Sequence, residues 1–210
     1  MFDFIADLDA YFCEKYANYD KLCVIEGYKM PKMHASEVRA DGRTYAYTLP
    51  ANTMRLAAQE NKTEILNKLK AQMQDKTFSF SFIPLSFFAA LRNKYGKNGF
   101  LPAFKKVLSA HNMTTAEAVE DLDVLPEVWK NICSGKFVPS KNLLFTMALT
   151  AHFTVSETEW LLALCGYELD YAVEKDVVIS YLLSQKVFNG EMIKVALAEY
   201  KVENLFFKAL

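Results

Sequence analysis

The sequence predicts a mainly α-helical protein: a small N-terminal α/β unit of α-β-β-α order over residues 1–80, then an all-α multi-helix domain over 84–210 that contains a helix-turn-helix. Three observations predict the mainly α class. Apolar residues recur at helical spacing along most of the chain. Two short runs near the N-terminus switch instead to β-branched and aromatic residues bounded by glycine and proline. From Pro84 onward no segment reads convincingly as a strand. With 52% of residues apolar and 14% aromatic, the chain has ample material for a packed core and is too apolar to remain disordered.

The elements follow in order. Phe2, Ile5, Leu8, Phe12, Cys13 and Tyr16 share one face of a first helix. "KLCVIEG" (Lys21 to Gly27) and "RTYAYTL" (Arg43 to Leu49) are the two expected strands, with "YKMPKMHASEVRADG" as a loop between them. "ANTMRLAAQ" and "TEILNKLKAQM" return to helical period, with Thr63 as a capping residue and Ile65, Leu66, Leu69 and Met73 inward. "QDKTFSFSF" (Gln74 to Phe82) suits a third strand or a packed linker. Beyond Pro84, seven or eight helices are separated by turn signals at Gly96 and Gly99, Asp123, Gly135 to Pro139, Gly166 and Asn189-Gly190. No low-complexity linker divides the two units, so they are expected to pack on each other.

The net charge is −1, but it is unevenly spread. Residues 1–83 balance, whereas 84–110 carry five bases (Arg92, Lys94, Lys97, Lys105, Lys106) and no acid, and 111–210 carry eight bases against fourteen acids. An electrostatic footprint for nucleic acid is therefore local. The N-terminal stretch has three aspartates and no base before Lys15, the opposite of a secretory leader. No apolar run reaches the ~18 residues of a membrane span, so no membrane partner is expected. Cys13, Cys23, Cys133 and Cys165 lack the paired spacing of a metal site or disulfide frame and read as buried thiols in a reducing cytoplasm.

Few residues suggest chemistry. His34, Glu37, Arg39, Asp41 and Arg43 form one polar cluster; His34 and Glu37 would share a helix face, but "EVRADGR" reads better as a turn. His111 and His152 fall at helix C-termini, where an imidazole suits the helix dipole. The aromatic run Phe78, Phe80, Phe82, Phe87 and Phe88 reads as core rather than as a stacking platform. With no phosphate-cradling loop and no nucleophile elbow, neither an enzymatic activity nor a cofactor or metal is expected.

One region is more informative. "MTTAEAVEDLDVLPEVWKNICSG" (Met113 to Gly135) places a threonine cap, a helix through Leu122, a three-residue turn and a second helix ending at Gly135, with Ala118, Leu122, Val124, Trp129 and Ile132 inward. This order resembles the Cro and repressor type of helix-turn-helix. The following "PSKN", the helix from Leu143 to Phe153, "SETEWLLALCGYELDY" and "DVVISYLLSQKVFNGEMIKVALAEY" resemble a variant of that family, common in Firmicutes, with extra C-terminal helices. The resemblance covers residues from about 100 to 200. Val119 and Asp123 stand where members usually carry a small residue and a glycine.

The resemblance implies that the second helix enters the major groove of double-stranded DNA, as a homodimer on two half-sites. Its outward positions here are Pro126, Glu127, Lys130 and Asn131. Lys130 and Asn131 are ordinary base readers, and Glu127 can accept from cytosine but repels phosphate. Lys105, Lys106, Lys136, Lys141, Arg92, Lys94 and Lys97 are the candidate phosphate contacts. The rival expectation is a protein-interaction module that has lost groove reading, such as a mobile-element-encoded inhibitor of a host nucleic-acid-processing protein.

Overall fold

The computed structural model describes residues 3–30, 32–40, 42–50, 56–74, 83–96, 99–114, 116–117 and 124–202. The fold is mainly helical with a few short strands. Helix α1 (Phe4–Lys15) is capped by Asp3, whose side chain accepts from the Ala6 amide, and it buries Leu8, Phe12 and Cys13. Its apolar stripe was legible at those positions because one face packs and the other does not.

The next segment corrects the first expected strand. Residues Tyr19–Leu22 form a short helix, α2, started by Asn18, whose side chain accepts from the Lys21 amide. Within Lys21 to Gly27 the buried residues are Leu22 and Ile25, three apart, while Val24 between them is 72% exposed. That is the spacing of helical turns, and it overrides the β-propensity of the run. Gln59 holds this corner in place: its side chain accepts from the Lys29 amide at 2.9 Å and donates to the Lys29 carbonyl at 2.7 Å.

The first strand lies instead in the expected loop. Strand β1 (Lys32–Val38) pairs antiparallel with β2 (Thr44–Pro50), with Glu37 opposite Tyr45. Where the strands meet, the Arg39 amide donates to the Arg43 carbonyl and the Gly42 amide to the Arg39 carbonyl, and Gly42 takes a φ of +75° that a side chain would resist. Residues 36–40 and 42–46 are all exposed, so no face of the hairpin is buried there to impose an apolar alternation on the sequence. His34 and Glu37 thus belong to a strand, not to a helix or turn.

A 3₁₀ turn (Leu56–Ala58) leads to α3 (Lys62–Gln72), which buries Ile65, Leu66 and Leu69, with Met73 buried just beyond. Its N-cap is Asn61, two residues before the expected Thr63. Most of "ANTMRLAAQ" before Leu56, and the Gln74 to Phe82 run beyond residue 74, lie outside the described residues.

The C-terminal region is helical as expected: α4 (Phe87–Tyr95), α5 (Phe100–Ala110), α6 (Pro126–Cys133), α7 (Lys141–Thr150), α8 (Val155–Leu164), α9 (Glu174–Ser184) and α10 (Gly190–Glu199). It also holds one unexpected strand pair, β3 (Ile83–Pro84) with β4 (Phe137–Val138). Two residues carry too little pattern to be seen in sequence. His111 caps α5 and His152 follows α7, as their placement at helix ends predicted.

One buried cluster includes residues from both parts of the chain, from Leu8, Phe12 and Tyr16 through α3 and α5 to α9 and α10. Tyr181 donates to Asp7 at 2.7 Å and Tyr16 to Glu174 at 2.7 Å, while the Tyr11 and Ser180 hydroxyls pair at 2.9 Å. Lys70 on α3 is buried and bridges Asp9 on α1 (2.7 Å) and Glu199 on α10 (2.6 Å). A buried ammonium is tolerated here because two carboxylates and the Tyr200 ring surround it.

Two expectations about burial fail. Cys13 and Cys165 are buried and Cys133 is half-buried, but Cys23 is exposed. Phe87 and Phe88 are 73% and 81% exposed rather than core; Phe78, Phe80 and Phe82 lie outside the described residues.

Candidate nucleic-acid interface

Helix α6 is anchored from behind. Ile132 is fully buried, and Trp129 packs edge-on against Phe104 of α5 with ring centroids 6.1 Å apart. Val124 is half-buried against the same cluster. These three are among the inward positions that the sequence assigned; Ala118 and Leu122, with Val119 and Asp123, lie outside the described residues. The start of the preceding segment is capped as expected. Thr114 donates from both its amide and its hydroxyl to Glu117, at 2.7 Å each, and the Glu117 amide donates back to the hydroxyl at 3.2 Å. Those two hydrogen bonds hold the Glu117 carboxyl below its usual range.

With its inner side pinned, α6 turns Pro126, Glu127 and Lys130 to solvent. Asn131 is half-buried, and its carbonyl accepts from the Ser134 hydroxyl (3.0 Å) and the Lys136 amide (2.9 Å). Glu127 and Lys130 are therefore the accessible base-reading candidates, and Asn131 is less so. Leu125 at the N-cap is 73% exposed and supplies no side-chain hydrogen bond, and Pro126 at the first helical position needs none for its own nitrogen. An exposed leucine at this position was not anticipated from sequence, because a lone leucine before a proline carries no signal of which way it points.

The candidate phosphate contacts separate into groups. Lys136 is exposed immediately after α6. Lys105 is exposed on α5, close enough to oppose the upward shift that burial gives the Cys133 thiol at the end of α6. Lys94 belongs to α4, whose backbone lies against Gly135: a methyl group there would stand 2.9 Å from the Lys94 Cβ. Three separate segments thus bring basic residues to the C-terminal end of α6, which the helix dipole also favours.

The others lie elsewhere. Lys106 sits 5.8 Å over the ring of Trp160 on α8. Arg92 borders a cleft of about 540 Å³ with Leu85, Ala89, Phe100, Val138 and Leu164. Lys97 is outside the described residues. Lys141 has a different job, since its ammonium pairs with the buried carboxylate of Asp176. Burial pushes the Asp176 carboxyl above its usual range, against the pull of Lys141 and the Asp170 amide.

The link between α4 and α6 was not read from the sequence. The Asn93 side chain donates to the Gly135 carbonyl at 3.2 Å and accepts from the Phe100 amide at 3.0 Å, tying α4, α5 and the end of α6 together. The Leu85 amide donates to the Lys136 carbonyl at 2.8 Å, extending the β3–β4 pair. Among the described residues, no group of three or more His, Cys, Asp and Glu side chains gathers as a metal site, and no helix is long and apolar enough to cross a membrane.

No protein-family model, curated protein or solved structure matches the chain.

Proposed function

We propose that the protein binds double-stranded DNA in the manner of a transcriptional regulator, through a degenerate helix-turn-helix whose second helix is α6. The observation that carries this reading is the outward face of α6: Glu127 and Lys130 stand in solvent while Trp129 and Ile132 hold the helix from behind. Lys130 reads a base edge, assisted by Asn131, and Glu127 discriminates by accepting from cytosine or by repelling misplaced phosphate. Lys136, Lys105 and Lys94 supply the phosphate contacts nearest to α6. Lys106 and Arg92 act at the periphery. The weak footprint of one chain favours binding as a dimer on two half-sites.

The test is retention on genomic DNA fragments at about 50 and 200 mM salt, because each neutralised phosphate adds close to one unit to the salt slope. Loss of affinity by orders of magnitude across that range supports the reading. Absence of binding at both salts rejects it.

A second reading is favoured by Leu125 and Glu127, an exposed apolar residue and an acid where a groove reader usually places polar or basic groups. On that reading α6 docks a protein, for example as a mobile-element-encoded inhibitor of a host nucleic-acid-processing protein. It predicts salt-insensitive behaviour toward DNA and loss of partner binding on Leu125→Asp.

A further inference from the structure

Among the described residues, the largest departure from ordinary burial is on α4. Phe87, Leu91 and Tyr95 succeed one another at four-residue spacing, Phe88 lies beside them, and their exposures are 73%, 41%, 70% and 81% in that order. The rings of Phe87 and Phe88 meet edge-on at 5.6 Å. The rest of the helix is held: Asn93, on the far side, is hydrogen-bonded to the Gly135 carbonyl and the Phe100 amide, and the Ala90 carbonyl and the Lys94 Cβ lie against Gly135. The apolar row is thus presented on a fixed support.

We infer that this face of α4 is a self-association surface, on which a second copy of the chain packs its own α4 antiparallel across a two-fold axis near Leu91. Three features select a second copy. The four side chains expose on the order of 500 Å² of apolar surface per chain, so two copies bury about 1,000 Å², the lower edge of a specific interface. The row is self-complementary, with aromatic residues at both ends and the smaller Leu91 between, so that Phe87 and Phe88 of one copy meet Tyr95 of the other.

The charges agree with the antiparallel sense. Arg92 and Lys94 flank the row on its C-terminal half, and 84–110 contain no acid. Antiparallel packing sets these cations toward the Phe87 and Phe88 end of the other copy rather than against its cations. Aromatic faces accept cations, as Lys94 does 5.0 Å over Tyr95 within one chain.

The inference does not require α6 to bind DNA, although Arg92 and Lys94 serve in both readings, and its test uses no DNA. Sedimentation velocity of the full chain between about 1 and 200 μM, a range suited to an interface of this size, is expected to show the 24.0 kDa monomer converting to a species of twice that mass. Phe88→Glu and Leu91→Glu, both at solvent-facing positions and so expected to keep the wild-type circular dichroism melt, should each weaken association about tenfold or more. Leu91→Cys in a Cys23→Ser background should form an intermolecular disulfide on mild oxidation.

A wild-type chain that stays monomeric at the highest concentration overturns the inference. So does a dimer that survives Phe88→Glu with no cross-link at Leu91→Cys. A monomer that binds phosphatidylcholine–phosphatidylglycerol vesicles through Phe88 overturns it as well, by making a lipid surface the occupant.

Discussion

Trp129 meets Phe104 edge-on, ring centroid to ring centroid 6.1 Å, and this contact sets α6 on α5. Trp129→Ala removes it together with most of the side chain's buried area, and a cost of about 3–5 kcal/mol follows for a tryptophan at a packed site. The variant should melt well below the wild type and lose DNA retention. Acrylamide quenching reports the same site directly. In the wild type Trp160, at 42% exposure, should be quenched and Trp129, at 9%, protected; a uniformly quenched wild type would contradict this packing.

Lys130 and Lys136 are exposed and carry little of the fold. Lys130→Glu should leave the melting temperature within about 2 °C, as surface substitutions usually do, while abolishing sequence preference on DNA. Lys136→Ala and Lys105→Ala should each flatten the salt dependence of binding by about one unit of slope, uniformly across sequences. Equal salt slopes in the wild type and both alanine variants would remove these lysines from the interface.

Gly135 has a φ of +79°, and an added Cβ would stand 2.9 Å from the Lys94 Cβ and 3.2 Å from the Ala90 carbonyl oxygen. Gly135→Ala therefore meets both backbone strain and a clash with α4, together on the order of 1–3 kcal/mol. Hydrogen exchange should show faster exchange in α4 and at Leu85, whose amide bonds to Lys136. A Gly135→Ala protein that melts with the wild type would mean that α4 does not pack on this turn.

Asp176 couples stability to pH. Burial raises its carboxyl pKa despite the Lys141 pairing, so the folded state holds this proton more tightly than the unfolded chain does. Its contribution is then fully present below the unfolded carboxyl pKa and is lost as pH rises through the folded one. Lys141→Met removes the counter-charge, raises the carboxyl further and should destabilise the protein at pH 7. Acidification should shrink that deficit as Asp176 takes its proton, and denaturant melts of both proteins between pH 7 and 4 measure it. A deficit that is constant with pH would show that Lys141 acts through packing alone.

The four thiols should react in an order set by exposure. Cys23 is exposed and should be modified first by a disulfide reagent. Burial pushes the Cys13 thiol up to about 11 and Cys165 up to about 12, so both should react only as the fold opens. Cys133 falls between. Rapid labelling of Cys165 in the native protein, read by peptide mass, would contradict the packing of α8.

Helices with one buried stripe were the legible part of this chain. Leu8, Phe12 and Cys13 on α1, and Ile65, Leu66 and Leu69 on α3, repeat at helical spacing because each helix has one packed side, and that spacing is written residue by residue. Capping was legible for the same reason at Thr114 with Glu117, a device complete within four residues. Of the hairpin, the second strand was legible, Arg43 to Leu49 falling on β2, whereas the first lies in the expected loop, where exposed residues 36–38 impose no alternation; the β-rich run at Lys21 to Gly27 was drawn into helical turns by the burial of Leu22 and Ile25.

The candidate interface divides in the same way. The sequence by itself determined that α6 exists, stops just before Gly135 and buries Trp129 and Ile132, since these follow from local spacing and turn chemistry. Only the tertiary structure decided which lysines accompany it. Lys141 is committed to Asp176, thirty-five positions along the chain, whereas Lys94 and Lys105 are brought to the end of α6 by packing that no local pattern encodes. The same distinction governs α4, whose aromatic residues read as core in one dimension and stand in solvent in three, because its packed side was set by Gly135 and Asn93 rather than by its own most apolar face.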